Sequence, residues 1–314
     1  MWKTGIYTLK QMKEGHSSKT IFGAEKKYSI TLYHQVQNLP NATNLMEKIL
    51  FQFSDSRGAY KRTYQNRFED FDQEVFSFLK KQFKKTEPLF VEDLAVSNGE
   101  TACDFFEKLS TYFKHLFYRA SDYDPYVYSI PTKYLTATFS STGELLEILL
   151  KPFVINLIKR ESIKLYPVNY LMHLVFKNLL KGHFKKMFFD KSAHKKRISL
   201  FSSKALSLEK QEKSFSLDQK NILEPFSQDR KNHVIRAMNV LNPEYFSNEE
   251  FRTVLCNIHH SLAESGILIT GSNQDAGTQV DGGIFEKTPQ GFRCLKVTGD
   301  GSPIDAIINN YQKS

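Results

Sequence analysis

The chain has 314 residues, of which 40% are apolar and 25% charged, and its formal net charge is +9. This length suits one elaborated α/β domain or two small domains with a sizeable core. Three widely spaced cysteines without a CxxC pair argue against a disulfide framework or a zinc site. The start lacks a signal-peptide core and no apolar run reaches membrane-spanning length, so we expect a cytoplasmic protein.

Residues 1–88 are predicted to form a mainly helical N-terminal cap. Apolar side chains recur at helical spacing from Phe68 to Phe83, and Pro88 closes the segment. Arg62 and Arg67 precede the first strand, and the simpler interpretation of both is that they are charged residues on the surface. The remainder, 89–314, is predicted to form a Rossmann-like domain.

The most informative segment is Leu89-Phe-Val-Glu-Asp-Leu-Ala-Val-Ser-Asn-Gly99, which a helix-like stretch over 100–109 follows. A strand, a turn of small residues and a helix let a nucleotide-like ligand approach the backbone at the carboxyl end of the strand. The next apolar run begins at His115 and ends in Asp122. A carboxylate at that position can accept hydrogen bonds from ribose hydroxyls.

Residues 125–205 are predicted to be a basic inserted subdomain. Two apolar runs, 135–139 and 145–150, flank Ser141-Thr-Gly143 and predict a hairpin. Residues 151–200 carry 12 Lys and Arg against 2 Asp and Glu. This stretch suits an anionic lipid, nucleic acid or acidic protein, or is a solvated amphipathic face.

Strands alternate with helices after the insertion. Strands are predicted at 213–217, 233–239 and 267–270. Ser247 and Glu250 have the capping-box spacing for a helix that runs through Leu262 and ends near Gly266. Residues 283–297 predict an antiparallel pair. The expected fold class is therefore α/β: a Rossmann-like doubly wound, mostly parallel sheet with an antiparallel C-terminal pair, an N-terminal helical region and an inserted subdomain.

Together these segments resemble the class I S-adenosylmethionine-dependent methyltransferases. In that family an acid at the end of the first strand precedes three small residues at every second position. Ala95 and Ser97 replace two of the usual glycines, and both are small enough to let a ligand near the backbone. The resemblance implies S-adenosyl-L-methionine as cofactor and S-adenosyl-L-homocysteine as product. It implies cofactor-binding residues at Asp93, Ala95, Ser97, Asn98, Gly99, Asp122, Asp124, Asn221 and Asn239.

Within this superfamily the chain is most similar to the chemotaxis receptor (CheR-type) glutamate methyltransferases. Ala120-Ser-Asp-Tyr-Asp124 resembles their second-strand ending, and Arg236-Ala-Met-Asn-Val-Leu241 with Tyr245-Phe246 resembles their fourth strand. Asn239 ends a predicted strand and should border the reaction centre, since ligands sit outside the carboxyl ends of strands. Tyr245 is a candidate to orient an acceptor or to face the sulfonium through its ring, with core packing beside Phe246 as the alternative. The same family uses an arginine near Arg62 and Arg67 beside the cofactor carboxylate. Asp218 is the competitor of Asn221 as the adenine contact.

The expected function is methyl transfer to a small-molecule or protein acceptor. Transfer from a sulfonium needs positioning and desolvation more than acid–base groups, and the chain shows no catalytic triad or metal-ligand spacing. The alternative is a binding protein of the same fold that docks through its basic insertion on anionic lipid or nucleic acid. Nucleic acid is the less favoured partner, because the insertion lacks an array of base-stacking residues.

Overall fold

The computed structural model describes residues 2–13, 26–37, 39, 42–58, 61, 63–226, 230–241, 246–273, 279–302 and 304–312. The chain divides into two compact units. Unit 1 comprises Met1–Arg62 and Asp124–Ser203, and unit 2 comprises Thr63–Tyr123 and Lys204–Ser314. Most of the predicted insertion, 125–205, therefore lies in one unit with residues 1–62. Residues 63–88, predicted as part of the cap, belong to unit 2.

Fourteen strands are found in the described residues. They are β1 Gly5–Ile6, β2 Lys27–Tyr28, β3 Leu89–Leu94, β4 Leu116–Asp122, β5 Tyr126–Pro131, β6 Thr136–Phe139, β7 Leu145–Leu150, β8 Phe153–Asn156, β9 Lys196–Ser199, β10 Phe215–Gln219, β11 Asn232–Met238, β12 Leu262–Ser272, β13 Asp281–Lys287 and β14 Phe292–Thr298. The predicted hairpin corresponds to β6 and β7, and the predicted C-terminal pair to β13 and β14.

Ten α-helices lie in the same described residues. They are α1 Leu9–Lys13, α2 Tyr33–Gln37, α3 Thr43–Leu50, α4 Glu69–Gln82, α5 Glu100–Ser110, α6 Pro167–Leu174, α7 Lys181–Phe189, α8 Ser203–Gln211, α9 Asn248–Ser261 and α10 Asp305–Asn309. A 3₁₀ turn, Ile30–Leu32, precedes α2, and a π-helical turn, Val175–Leu179, follows α6. None of the described helices has the length and apolar content to span a bilayer.

Unit 2 is built on a seven-stranded sheet in the order β10-β4-β3-β11-β12-β13-β14. The first five are parallel to one another, whereas β13 runs antiparallel to both of its neighbours. When the five parallel strands are counted in chain order from β3, they therefore lie in the sheet in the order third, second, first, fourth, fifth. The chain leaves β3 toward one edge and later returns on its other side at β11. This is the switch point of a Rossmann-like doubly wound sheet, which confirms the predicted fold class.

Helices cover the two faces of this sheet. On one face α9 contributes Phe251, Val254, Leu255 and Ile258 to a core that includes Leu94, Ile235 and Leu268 of the strands. On the other face Phe105 and Phe106 of α5 pack against Tyr118 of β4. The capping box is confirmed, because the Ser247 Oγ accepts the Glu250 N–H and Glu250 Oε2 accepts the Ser247 N–H.

The predicted end of this helix near Gly266 is wrong. α9 stops at Ser261, and Leu262 already pairs with Asn232 of β11 as a strand residue. An irregularity in the ladder follows, and Ser265 there adopts a φ of +57° before pairing resumes at Ile267. The apolar spacing that extends the helix to Leu262 is thus overridden by pairing with a distant strand.

Unit 1 is built on a five-stranded antiparallel sheet in the order β8-β7-β6-β5-β9. One core cluster joins α2 and α3 to Val127 and Ile198 of the sheet. A second cluster joins the α6–α7 segment to Ile130, Phe139 and Ile148. Buried Glu147 accepts hydrogen bonds from the Ser29 Oγ (2.7 Å) and the Ile30 N–H, which ties the 3₁₀ turn to β7.

Candidate functional site

The loop between β3 and α5, residues 95–99, has an unusual backbone. Ala95, Ser97 and Gly99 have φ values of +56°, +59° and +84°. These are the three positions at which the sequence pattern calls for small residues. L-residues avoid this left-handed region because the Cβ crowds the carbonyl, so two non-glycine residues here cost free energy that the surrounding structure must offset.

Contacts from the neighbouring strand fix the loop. Asp122 Oδ2 accepts the Ser97 N–H at 2.8 Å, and the Ser121 carbonyl accepts the Val96 N–H at 3.0 Å. Buried Asn98 closes the loop onto the helix, because its Oδ1 accepts the Glu100 N–H at 3.1 Å. The loop backbone is therefore held at the carboxyl ends of β3 and β4 before any ligand binds.

This loop lies at the switch point of the sheet, where ligands bind in open α/β folds. α5 begins directly after it, so the positive end of the helix dipole lies beside the loop. The Ser97 Oγ is inaccessible to solvent and has no hydrogen-bond partner among the described residues. The Val96, Ser97 and Gly99 N–H groups already have acceptors within the protein, so the Ser97 hydroxyl is the unused polar group of the loop.

Asp93 lies at the end of β3 as predicted, but its carboxylate is engaged within the protein. Asp93 is 1% exposed, and its Oδ2 accepts hydrogen bonds from Arg236 Nη1 (2.8 Å) and the Tyr118 hydroxyl (2.6 Å). Arg236 also donates through Nη2 to Asp72 of α4 (3.0 Å). Asp93 and Arg236 are direct neighbours across β3 and β11. This buried charge cluster, Asp72, Asp93, Tyr118 and Arg236, ties α4 to the strand ends.

Burial governs the ionisation of this cluster. Desolvation raises the pKa of Asp72 to about 7, although the Arg236 guanidinium partly opposes the shift. Desolvation also raises the pKa of Asp93 and of Tyr118. Burial alone would lower the pKa of Arg236, but its two carboxylate partners outweigh that effect and hold it charged. Burial and the paired charges together therefore set the ionisation of all four groups.

A second polar network joins the carboxyl ends of β11 and β12. Asn239 has a φ of +56°, its Nδ2 donates to Asn273 Oδ1 (3.0 Å), and its Oδ1 accepts the Asn273 N–H (3.0 Å). Arg67 donates to the same Asn273 oxygen through Nε (3.1 Å) and Nη2 (2.8 Å). Asn239 thus lies at the predicted edge, and its side chain bridges two strands. Arg62 lies outside the described residues.

The other predicted residues have different surroundings. Asn221 closes the turn after β10, since its amide donates to Glu224 and accepts the Leu223 N–H. Asp124 belongs to unit 1, where its carboxylate accepts hydrogen bonds from Ser56 and the Ser141 hydroxyl. Tyr245 lies outside the described residues.

Sequence reasoning missed a buried carboxylate next to the site. Glu92 is ion-paired with Lys220, which follows β10, and Arg119 of β4 lies 3.8 Å away. Lys220 also lies over the Phe226 ring, 4.4 Å from its centroid. The adjacent acids Glu92 and Asp93 point to opposite faces of β3 and each meets a cation. Two adjacent acids, Glu92 and Asp93, within an otherwise apolar strand were the sequence signal that each needs a cationic partner.

No family model and no curated protein matches the chain. Among solved structures, it is similar to the N-methyltransferase NodS of Bradyrhizobium japonicum WM9 with S-adenosyl-L-homocysteine, at 12% identity over 76% of each chain and a TM-score of 0.33. It is also similar to magnesium protoporphyrin IX methyltransferase of Synechocystis PCC 6803 with bound SAM. The two sequences are 9% identical, the match covers 65% of this chain and 58% of that chain, and the TM-score is 0.31. The fold assignment rests on the strand order of the seven-stranded sheet.

Proposed function

We propose that this protein is a class I S-adenosylmethionine-dependent methyltransferase that acts on a small-molecule or protein acceptor. One observation carries the proposal: Ala95, Ser97 and Gly99, the small positions of the resembled motif, all have left-handed backbones. Ala95 and Ser97 keep this conformation without being glycines. A strained conformation at the switch point of the sheet is characteristic of a functional loop.

The residues of unit 2 fit the cofactor at this loop. The backbone of residues 95–99 and the unused Ser97 hydroxyl supply hydrogen-bonding groups, and Asp122, 6% exposed, supplies a carboxylate at the end of β4. Asn221 and Asn239 follow the third and fourth parallel strands. Asp93 acts through Arg236 as a positioning residue for the strand end.

When bound, the cofactor supplies a methyl group already activated by its sulfonium. The chain then has to orient the acceptor, align the two reacting atoms and exclude water. In this proposal Asn239 lies beside the acceptor and Tyr245 orients it. The reaction would be an in-line transfer that needs no triad and no metal. Three free cysteines fit the reducing cytoplasm predicted for the protein.

The similarity to chemotaxis receptor glutamate methyltransferases does not identify the methyl acceptor. Arg236 of the matching strand is committed to two buried carboxylates, and Asp124 to serines of unit 1. Both matching residues therefore have structural partners of their own. We infer no preference for a glutamate acceptor from them.

The proposal is tested by calorimetric titration of the purified full chain with S-adenosyl-L-homocysteine and S-adenosyl-L-methionine. We expect micromolar binding that Asp122→Ala weakens and that Asp70→Ala, an exposed carboxylate on α4, leaves unchanged. Absence of binding at millimolar ligand would overturn the enzyme proposal. That result would favour the alternative, a binding protein of this fold that docks through its basic segment on an anionic partner.

A further inference from the structure

The α6–α7 segment of unit 1 has an exposed apolar tip. The tip, residues 177–183, spans the end of the π-helical turn and the start of α7, and every residue in it is exposed. Leu179 is 77% exposed and Leu180 37%, whereas Phe176, Phe184 and Phe188 on either side fill the unit 1 core. The aromatic side chains of the segment therefore pack into the core, whereas the two leucines remain exposed to solvent.

The surroundings of the tip are predominantly basic, with Glu144 as the carboxylate that faces Lys177 and Lys181. Residues 162–189 contain five lysines and no Asp or Glu. Lys177 and Lys181 flank the two leucines, and Lys185 follows one helical turn later. Neither Lys181 nor Lys185 is ion-paired with a residue that the structure describes. Leu171 and Phe189, both well exposed, add apolar surface to the same segment.

A cleft of about 250 Å³ lies beside the tip. Lys177, Lys181 and Lys185 line it, spaced four residues apart, together with Leu145, Leu157 and Phe176 and with Thr142 and Glu144. Lys177 Nζ donates to the Leu157 carbonyl at 2.9 Å, which anchors one lysine. The cleft thus combines an apolar wall with three ammonium groups and one carboxylate, and this excess of positive charge suits a phosphate attached to an apolar chain.

We propose that the tip docks unit 1 on the surface of an anionic phospholipid bilayer. Leu179 and Leu180 enter the boundary between headgroups and acyl chains, and the flanking lysines remain at the level of the phosphates. Clustered lysines beside exposed apolar side chains are the combination that an anionic leaflet attracts. This docking goes beyond the proposed methyl transfer and does not depend on it.

Two features favour a bilayer over nucleic acid. A phosphodiester backbone offers lysines a partner, but it gives two exposed leucines no apolar surface to enter. Base stacking uses arrays of aromatic rings, whereas the described α6–α7 segment exposes only the rings of His183 and Phe189 beside its leucines. Since no described helix spans a membrane, the docking is peripheral.

The test is sedimentation of the full chain with vesicles of phosphatidylcholine alone and with about 30% phosphatidylserine. We expect binding to the anionic vesicles only, weakened by salt. The charge variant Lys181→Glu/Lys185→Glu should lose about 30-fold or more in affinity. The apolar variant Leu179→Ser/Leu180→Ser should lose about 100-fold or more. Lys210→Glu and Leu295→Ser, exposed positions of unit 2, are the matched controls and should bind like the wild type.

Equal binding to neutral vesicles, no binding to either kind, or equal losses in the unit 2 controls would overturn the proposal. Tighter binding to a fluorescent single-stranded oligonucleotide than to the anionic vesicles would also overturn it. Circular dichroism confirms that each variant is folded. The tip variants should bind S-adenosyl-L-homocysteine like the wild type if the enzyme proposal holds, so failure of one proposal is distinguishable from failure of the other.

Discussion

The Asp122 carboxylate accepts the Ser97 N–H at 2.8 Å and so joins the end of the second parallel strand to the loop after the first. A hydrogen bond to an ionised acceptor is stronger than one between neutral groups. It holds Ser97 in a left-handed conformation that the residue would otherwise avoid. The acid predicted from sequence as a ligand therefore also preorganises the loop that would receive the ligand.

Asp122→Ala should weaken binding of S-adenosyl-L-homocysteine by about 1–3 kcal/mol, because it removes a carboxylate and the loop anchor together. Asp122→Asn keeps an oxygen that can accept the Ser97 N–H, so it should lose less. Calorimetric titration of both variants measures the difference. Equal affinity of Asp122→Ala and the wild type would remove Asp122 from the site.

Ser97→Gly should be tolerated unusually well, because glycine adopts a φ of +59° without crowding. The same substitution at Ser207, an exposed position within α8 whose hydroxyl accepts a hydrogen bond from Gln211, should cost about 0.5 kcal/mol of the free energy of unfolding. We therefore expect Ser97→Gly to exceed Ser207→Gly in stability by about 1 kcal/mol in urea denaturation. The reverse order would contradict a strained loop.

Arg236→Met should destabilise the protein by about 3–5 kcal/mol, because it leaves two buried carboxylates without their cation. Arg119 is the matched control: it is one-third exposed and lies 3.8 Å from Glu92. Arg119→Met should cost about 0–1 kcal/mol. Chemical denaturation measures both, and similar losses in the two variants would show that the buried cluster is not what holds the strand ends.

The Asp72 carboxyl makes stability depend on pH in a specific direction. Its pKa rises from an ordinary 3.8 to about 7 on burial, so the folded chain binds this proton more tightly than the unfolded chain. The resulting stabilisation is complete below pH 3.8 and is lost as the pH rises through 7. As the pH rises from 5 to 8, Asp72→Asn should therefore gain stability relative to the wild type, by roughly a few kcal/mol at most. The measurement is the free energy of unfolding of both proteins as a function of pH. A constant difference between them from pH 5 to pH 8 would contradict this assignment.

Asn239→Gly should cost about 1 kcal/mol of unfolding free energy, because it removes the bridge to Asn273 but accommodates the φ of +56°. Asn239→Ala removes the bridge and adds left-handed strain, so it should cost about 1 kcal/mol more. Thermal and urea denaturation of the pair separate these two contributions. Equal losses would mean that strain at Asn239 is negligible.

Local signals in the sequence predicted much of unit 2. The apolar run and small-residue turn of 89–99, the second run ending at Asp122 and the capping box at Ser247 each act within a few residues. Their alternation predicted a doubly wound sheet, and the strand order confirmed it. Local periodicity also placed α4 correctly, since its apolar residues recur on one face.

What the sequence did not reveal depends on contacts between distant residues. Asp72, Asp93 and Arg236 are far apart in the chain, and only the register of β11 on β3 brings them together. The start of β12 at Leu262 likewise follows from pairing with Asn232. The association of residues 1–62 with 124–203 depends on a core whose two parts are widely separated in sequence.

Amide hydrogen exchange with and without saturating S-adenosyl-L-homocysteine tests the central claim most directly, because it locates the ligand on the chain. The cofactor site proposed at residues 95–99 and Asp122 predicts protection in the peptides that cover 95–99 and the end of β4, and none in residues 151–200. No change in residues 89–124 at saturating ligand, or protection confined to 151–200, would contradict it.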